Sequence, residues 1–244
     1  MKNVLIVGGA NGIGLSIATE IAKRKDCETI YIVDKSVIAD EFNNEKFRYY
    51  NFDLMSDDYS IFDEFQDIDT LMITAGFGKL ALFKDIDESH IISSINVNTT
   101  SVIRIIRKFY NRIENQKDFY CGVMVSIAGF MSSPFFSVYA ASKAALKIFI
   151  ESVNVELLKS GVSNRILNVS PGSIKGTSFN NAKTDLSQTE SIAKEIILHL
   201  ENKSDLYIPQ YEEVFKTVLE RYHDDFRKEG SHSYDYKKNS GRLK

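Results

Sequence analysis

Val-Gly-Gly-Ala-Asn-Gly-Ile-Gly, residues 7–14, decides the fold. It follows an aliphatic and β-branched run, Val4–Val7, that reads as a strand. It precedes Leu15–Lys25, where Ile17, Ala18, Ile21 and Ala22 recur at helical spacing. Gly8, Gly12 and Gly14 stand at G-x-x-x-G-x-G spacing, and each meets a need for backbone proximity. A Cβ at Gly8 would strain the tight turn, one at Gly12 would hold a pyrophosphate off the helix N-terminus, and one at Gly14 would keep the helix from packing on the strand. Free N–H groups and the helix dipole then favour phosphate. A glycine loop alone is a weak signal, and its plain alternative is a strand–helix turn. The strand before it and the helix after it strengthen the reading.

Working outward, aliphatic strand runs alternate with helical segments. Thr29–Val33, Phe47–Phe52, Thr70–Thr74, Gly122–Ser126 and Arg165–Val169 read as further strands, with Leu206–Ile208 as a short seventh. Helices are expected at Ser56–Phe65 with Ser56 as N-cap, Glu88–Glu114, Val138–Ser160, Ser187–Glu201 and Tyr211–Phe226. Apolar runs in place of period-2 alternation point to a parallel sheet covered on both faces. The expected fold is therefore a doubly wound α/β/α domain over residues 1–226, followed by a tail over 227–244. That tail holds six Lys/Arg against two Asp/Glu. It reads as a solvated C-terminus or as a basic arm that closes over an anionic ligand or a neighbouring subunit.

Composition excludes several classes. With 244 residues, 43% hydrophobic, 26% charged and a net charge of −3, the chain is an ordinary globular one, without a basic field for nucleic acid. No apolar run is long enough for a membrane span. Cys27 and Cys121 make neither a disulfide framework nor a metal cluster, and the four histidines show no metal-binding spacing, so no metal is expected and the reduced cytoplasm is.

Two further groups carry chemistry. Asp34 stands 20 residues after Gly14 at the end of the second strand, where a carboxylate accepts two hydrogen bonds from an adenosine ribose and repels a 2′-phosphate, or simply caps a helix. Asn11 occupies the loop where a cation for that phosphate would stand, and Lys35 is the one dissenting residue, so NAD is preferred over NADP. Asp53, ending the third strand, suits an adenine amino group or a turn cap. Tyr139 and Lys143 share one helix face, four residues apart. A tyrosine with a pKa near ~10 is a poor acid or base at neutral pH, and an adjacent ammonium lowers that value. Ser126 lies 13 residues before Tyr139, with Gly129 and Pro134 marking the turn between them, and its hydroxyl can hold a substrate oxygen. Asn98, a poor mid-helix residue, can disturb its helix and bind a water leading to Lys143; Asn96 has similar spacing.

These pieces together resemble the roughly 250-residue branch of the short-chain dehydrogenase/reductase family, from about Met1 to Ile208. The matching stretches are Gly8–Gly14, Asp34, Asp53-Leu54, Ala75-Gly76, Asn98-Thr99, Ser126-x-x-Gly129, Tyr139-Ala-Ala-Ser-Lys143 and Pro171-Gly172. The resemblance implies a Rossmann-like sheet of about seven strands, order 3-2-1-4-5-6-7. It implies a catalytic tetrad of Asn98, Ser126, Tyr139 and Lys143. Cofactor contacts are implied at Gly8, Asn11, Gly12, Ile13, Gly14, Asp34, Asp53, Leu54, Ala75, Gly76, Tyr139, Lys143, Pro171, Gly172, Ile174 and Thr177. The expected activity is hydride transfer between a nicotinamide and a secondary alcohol or ketone, with a sugar-nucleotide epimerase or dehydratase and a non-catalytic dinucleotide-binding protein as the rivals. A small-molecule substrate is the expected partner, admitted by a loop at about 177–202; Phe130, Met131, Phe135 and Phe136 read either as a substrate wall or as core or interface residues. A homodimer through the two long helices is expected as well.

Four departures stand out. Val7 replaces a threonine, and Thr74 replaces the asparagine of the Asn-Ala-Gly motif. Gly176 stands where a threonine is expected, with Thr177 one place later. The family's usual seventh strand and glycine-rich C-terminus are unmatched, and Asp205-Leu-Tyr-Ile-Pro209 stands there instead.

Overall fold

A computed structural model of the protein describes residues 1–177, 179 and 183–240. Residues 178 and 180–182 of the expected substrate loop and 241–244 of the basic tail lie outside the described residues. Strands β1 (Asn3–Val7), β2 (Thr29–Asp34), β3 (Phe47–Asn51), β4 (Thr70–Ile73), β5 (Tyr120–Met124), β6 (Ile166–Val169) and β7 (Leu206–Tyr207) form one sheet. Its order is β3-β2-β1-β4-β5-β6-β7, and every pairing is parallel. The short β7 does exist, pairing Leu206 and Tyr207 with Asn168 and Val169.

The aliphatic strands fold this way because both sheet faces are buried. Along β1, Val4 and Ile6 join one core, with Ile17 and Ile21 of α1 (Gly12–Ala22) and Ala193 and Ile196 of α5 (Leu186–Glu201). Leu5 and Val7 join the other core, with Ile105 and Phe109 of α3 (Ser101–Ile113) and Leu146 and Ile150 of α4 (Ser137–Lys159). Each such buried aliphatic side chain contributes about 1.5–3 kcal/mol. Three layers follow from a period-2 backbone whose side chains are apolar on both faces.

Three expectations are corrected. No α-helix spans Ser56–Phe65; only Ser60–Glu64 winds into a 3₁₀ turn. Ser56 Oγ accepts from Asp58 N, and Asp58 accepts from Ser60 N, so these side chains close tight turns and leave the helix uncapped. Phe62 and Phe65 are thereby delivered to the core. The helix expected over Glu88–Glu114 is interrupted: α2 (Glu88–Ile95) and α3 are joined by a π-helical turn, Asn96–Thr100. The helix expected over Tyr211–Phe226 becomes a π turn, Tyr211–Phe215, and α6 (Lys216–Asp224), and then breaks at Asp225.

Past that break, residues read as a solvated tail form a further helix, α7 (Phe226–Asn239). Asp225 caps it, accepting from Arg227 N and Lys228 N at 3.0 and 3.1 Å. Arg221 of α6 grips the buried Glu229 with two hydrogen bonds of 2.7 and 3.1 Å, so α6 and α7 are locked as a pair.

The Arg221 guanidinium holds the Glu229 carboxyl below its ordinary range. A carboxylate with a depressed folded pKa stabilises above its unfolded value, and the gain is lost as pH falls through the folded one. Glu229→Gln is therefore expected to speed amide exchange in α7 at pH 7. The wild type should show the same local loosening below about pH 4. Hydrogen-exchange mass spectrometry checks both; an unchanged α7 in the variant would show that the pair does not hold the helix.

Candidate active site

The glycine turn places two main chains in direct contact. Gly8 holds φ +87°, and a Cβ on it would stand 2.4 Å from Ala75 N; one on Gly14 would stand 2.3 Å from Gly8 O. No other residue fits either place without moving the backbone. The Thr74 departure explains itself here. Its hydroxyl donates toward Gly8 O at 2.8 Å and Val7 O at 3.2 Å, bracing the turn from β4.

A crevice opens over this turn at the carboxyl ends of the strands, in two parts of about 440 and 240 Å³ that share Gly8, Asn11, Thr74, Gly76 and Phe77. The smaller part is lined by Asp34, Asp53, Leu54 and Ala75. The larger is lined by Gly12, Ile13, Gly14, Ser126, Tyr139, Pro171, Gly172, Ile174 and Thr177. The two carboxylates are already oriented. Asp34 accepts from Ala10 N at 3.0 Å and Ser36 N at 2.9 Å, and Asp53 accepts from Met55 N at 2.9 Å. A cradle of close-set glycines at a helix N-terminus, with an acid at the next strand end, fits a dinucleotide. Lys35 also lines the smaller part.

The other glycine departure is absorbed locally. Gly176 takes φ +71°, a conformation that threonine would resist. Thr177, one place on, lies beside Gly12 and donates to Ile174 O at 3.0 Å.

Tyr139 and Ser126 both line the larger part of the crevice. Burial pushes the phenol up to about 12, against the Ser126 contact that draws it down. Lys143, 2% exposed, lies behind it, with Nζ 5.8 Å from the phenol ring centre and donating to Met124 O at 2.8 Å. Burial lowers its ammonium to about 7. The expectation that the ammonium pulls the phenol down is corrected: in this chain desolvation dominates both groups and drives both toward neutrality.

Asn98, fully buried in the π turn, exchanges two hydrogen bonds with Phe77, amide to carbonyl at 2.8 Å and carbonyl from N–H at 3.0 Å. Its amide also reaches Ser142 Oγ at 3.1 Å. The main chain at Gly76 runs against both Asn98 and Lys143. Asn98 is thus the asparagine tied to the site; Asn96 is half-buried beside it.

Of the four residues expected as a substrate wall, Phe136 lines the crevice, and its ring lies 5.5 Å from that of Tyr139. Phe135 is buried under Tyr234, and Phe130 lies beside Lys147; neither these nor Met131 lines it. Sequence reasoning missed Phe77, Leu80, Phe179, Tyr236, Lys237 and Ser240. For the last three the sequence offered two signals: the basic charge of 227–244, one reading of which was an arm closing over a ligand, and Gly230, Tyr234 and Lys237 at i, i+4, i+7, a helical face.

Among the described residues no helix is long and apolar enough to cross a membrane, and no cluster could hold a metal ion.

Several known proteins resemble this chain. The chain is 32% identical over 104 residues to human 17-beta-hydroxysteroid dehydrogenase type 1, covering 43% of this chain and 32% of that enzyme's length. It is 28% identical over 194 residues to sorbitol-6-phosphate 2-dehydrogenase of Klebsiella pneumoniae, covering 72% and 70%. A short-chain dehydrogenase from Sphingobium yanoikuyae, solved in complex with NADPH, superposes with a TM-score of 0.74 at 20% identity, covering 92% and 96%, a likeness of fold. The profile described as short chain dehydrogenase matches residues 2–187, and the chain belongs to that family.

Proposed function

We propose that the protein is an NAD-preferring oxidoreductase that moves hydride between a nicotinamide and a secondary alcohol or ketone. The observation that carries this reading is the Tyr139 phenol, set against Ser126 in a crevice whose other part is the glycine cradle. Gly8, Asn11, Gly12, Ile13 and Gly14 would hold the diphosphate, Asp34 the adenosine ribose, Asp53 and Leu54 the adenine, and Pro171, Gly172, Ile174 and Thr177 the nicotinamide end. A bound nicotinamide supplies or accepts the hydride.

The chain's residues do the rest. Ser126 holds the substrate oxygen. Tyr139 gives its hydroxyl proton to that oxygen in reduction and takes it back in oxidation. At about 12 the phenol is protonated at neutral pH, the form reduction needs. Lys143 would hydrogen-bond the nicotinamide ribose, and Asn98 would support a water relay behind it. Holding the reacting groups in one pocket supplies much of the rate.

Three finer readings belong with this. The catalytic domain extends past residue 226 to include α7, since Tyr236, Lys237 and Ser240 line its crevice. Ile148, Val155 and Leu158 leave an apolar stripe exposed along α4, which supports a homodimer through that helix. Two unpaired buried cysteines support a reducing compartment, the cytoplasm.

Tyr139→Phe is expected to cut kcat/KM by about 10²- to 10⁴-fold while leaving NADH affinity within about twofold. Steady-state kinetics with calorimetry tests this, and retained turnover removes Tyr139 as the proton donor. NADH should bind at least about tenfold more tightly than NADPH, since Asp34 repels a 2′-phosphate; calorimetry giving the reverse order sinks the NAD preference.

Lys143 yields a stability prediction whose sign follows from burial. Its folded pKa, about 7, lies below the ordinary 10.5, so the penalty for burying the ammonium is full below pH 7 and fades as pH rises toward 10.5. Lys143→Met should therefore raise the melting temperature, relative to wild type, more at pH 6 than at pH 9. Equal shifts at both values would mean that the buried lysine is not desolvated as described.

A further inference from the structure

Gly172 is a glycine for want of space. Its backbone is outside the left-handed region that Gly8, Gly12, Gly161 and Gly176 occupy, so no backbone angle demands a glycine there. A Cβ added to Gly172 would instead stand 2.6 Å from Cζ, the tip of the Phe215 ring, and 3.3 Å from Cε2. Phe215 therefore fills the place of the missing side chain. It ends the π turn Tyr211–Phe215, beyond residue 187, where the family match stops. Gly172 lines the larger part of the crevice and Phe215 does not, so the ring backs the Pro171–Gly172 turn without entering the pocket.

The ring is held from both directions along the chain. Tyr207 ends β7, and its carbonyl accepts from Ser170 N at 2.8 Å, so the chain leaves the sheet beside Pro171. Gln210 then takes φ +58°, a left-handed conformation that residues other than glycine adopt rarely. Its carbonyl accepts from Val214 N at 3.0 Å and from Phe215 N at 3.3 Å, which turns Phe215 back onto Gly172. The far end is pinned by α7, which runs along residues 132–135 of the loop between Ser126 and Tyr139. Gly230 lies against Ser132, the Tyr234 ring stacks on Phe135 at 4.6 Å, and Lys237 Nζ donates to Ser133 Oγ at 2.7 Å and to Pro134 O at 2.9 Å. The peptide joining Pro171 to Gly172 is gripped a second time: Pro171 O accepts from Ile127 N at 3.0 Å and from Ser126 Oγ at 3.5 Å. A peptide is planar, so fixing its carbonyl and the Cα that follows fixes the whole plane.

We propose that Phe215 is a positioning residue for the nicotinamide end of the dinucleotide. Its ring presses on the main chain at Gly172 and keeps the turn in its binding shape, so that no ordering cost falls on the ligand. The adenosine end, at Asp34 and Asp53, belongs to the other part of the crevice, so Phe215 acts on one half of the ligand. The proposal rests on the dinucleotide reading for the identity of the ligand. It draws its own support from the contact between Gly172 and Phe215.

Calorimetry on the full chain compares two matched pairs: NADH with ADP-ribose, and NADPH with 2′-phospho-ADP-ribose. The second member of each pair lacks only the nicotinamide. The readout is the ratio of the two affinities within the pair that binds more tightly. Phe215→Ala is expected to weaken the nicotinamide-bearing member about fivefold or more while the other stays within about twofold. A ring that only supported the fold would weaken both alike. Phe215→Leu, too short to reach Gly172, is expected to match the alanine variant and carries the test if that variant does not fold. Phe215→Met, an apolar chain of similar reach, stays within about threefold of wild type. Gly172→Ala checks the contact itself: the added Cβ costs affinity for the nicotinamide-bearing member in the wild type and costs less beside Phe215→Ala, where the ring is gone. An unchanged ratio in the Phe215→Ala and Phe215→Leu variants, or a Gly172→Ala cost equal in both backgrounds, overturns the proposal and leaves the dinucleotide reading in place. A wild type that binds no member of either pair removes the dinucleotide reading, and this proposal with it.

Discussion

The Asn98 side chain is hydrogen-bonded to two separate elements: twice to Phe77, just past β4, and once to Ser142 in α4. Ser142 in turn donates to Tyr139 O and accepts from Thr99 Oγ1 through its own carbonyl. A continuous buried chain of hydrogen bonds thus runs from the end of β4, through the π turn, to the backbone of the residue that carries the phenol. Such a network is rigid because breaking any one link strands a polar group away from water. The π turn is the local distortion that lets the asparagine reach inward, and distortions of this kind gather at functional sites.

Burial is the second organising force, and it acts on chemistry as well as packing. Tyr139 and Lys143 lie at the boundary between the crevice and the core, and desolvation moves one up and the other down. Burial thus keeps the phenol protonated at neutral pH and brings the lysine close to its titration range. Met124 O fixes the lysine head, so its place does not depend on its charge.

The C-terminal helices add a wall that lies beyond residues 2–187, the span the family profile matches. The Arg221–Glu229 pair and the Asp225 cap fold α7 back onto the loop before Tyr139. Through this fold-back, side chains about a hundred positions from Tyr139 in sequence share its crevice. The sheet and glycine turn are common ground with a large family; the far wall of the substrate space is built from residues outside the region the family profile matches.

Amino-acid order by itself determined the layers and the cradle. Short runs of β-branched residues with no polar alternation, bounded by turn residues, point to strands buried on both faces, and the spacing of Gly8, Gly12 and Gly14 after a strand points to a close backbone turn. The Tyr139–Lys143 face is equally local, because four residues make about one helical turn. Tertiary structure decided what depends on partners far along the chain. Ser56 and Asp58 read as a helix start, but the aromatic residues after them reach the core better from tight turns. Asn98 was legible as an awkward mid-helix residue, whereas its partners Phe77 and Ser142 were not. The 227–244 stretch is polar and basic, which left open a solvated C-terminus or an arm closing over a ligand or a neighbouring subunit. Only the fold supplies the surface, residues 132–135, against which Gly230, Tyr234 and Lys237 become a packed face.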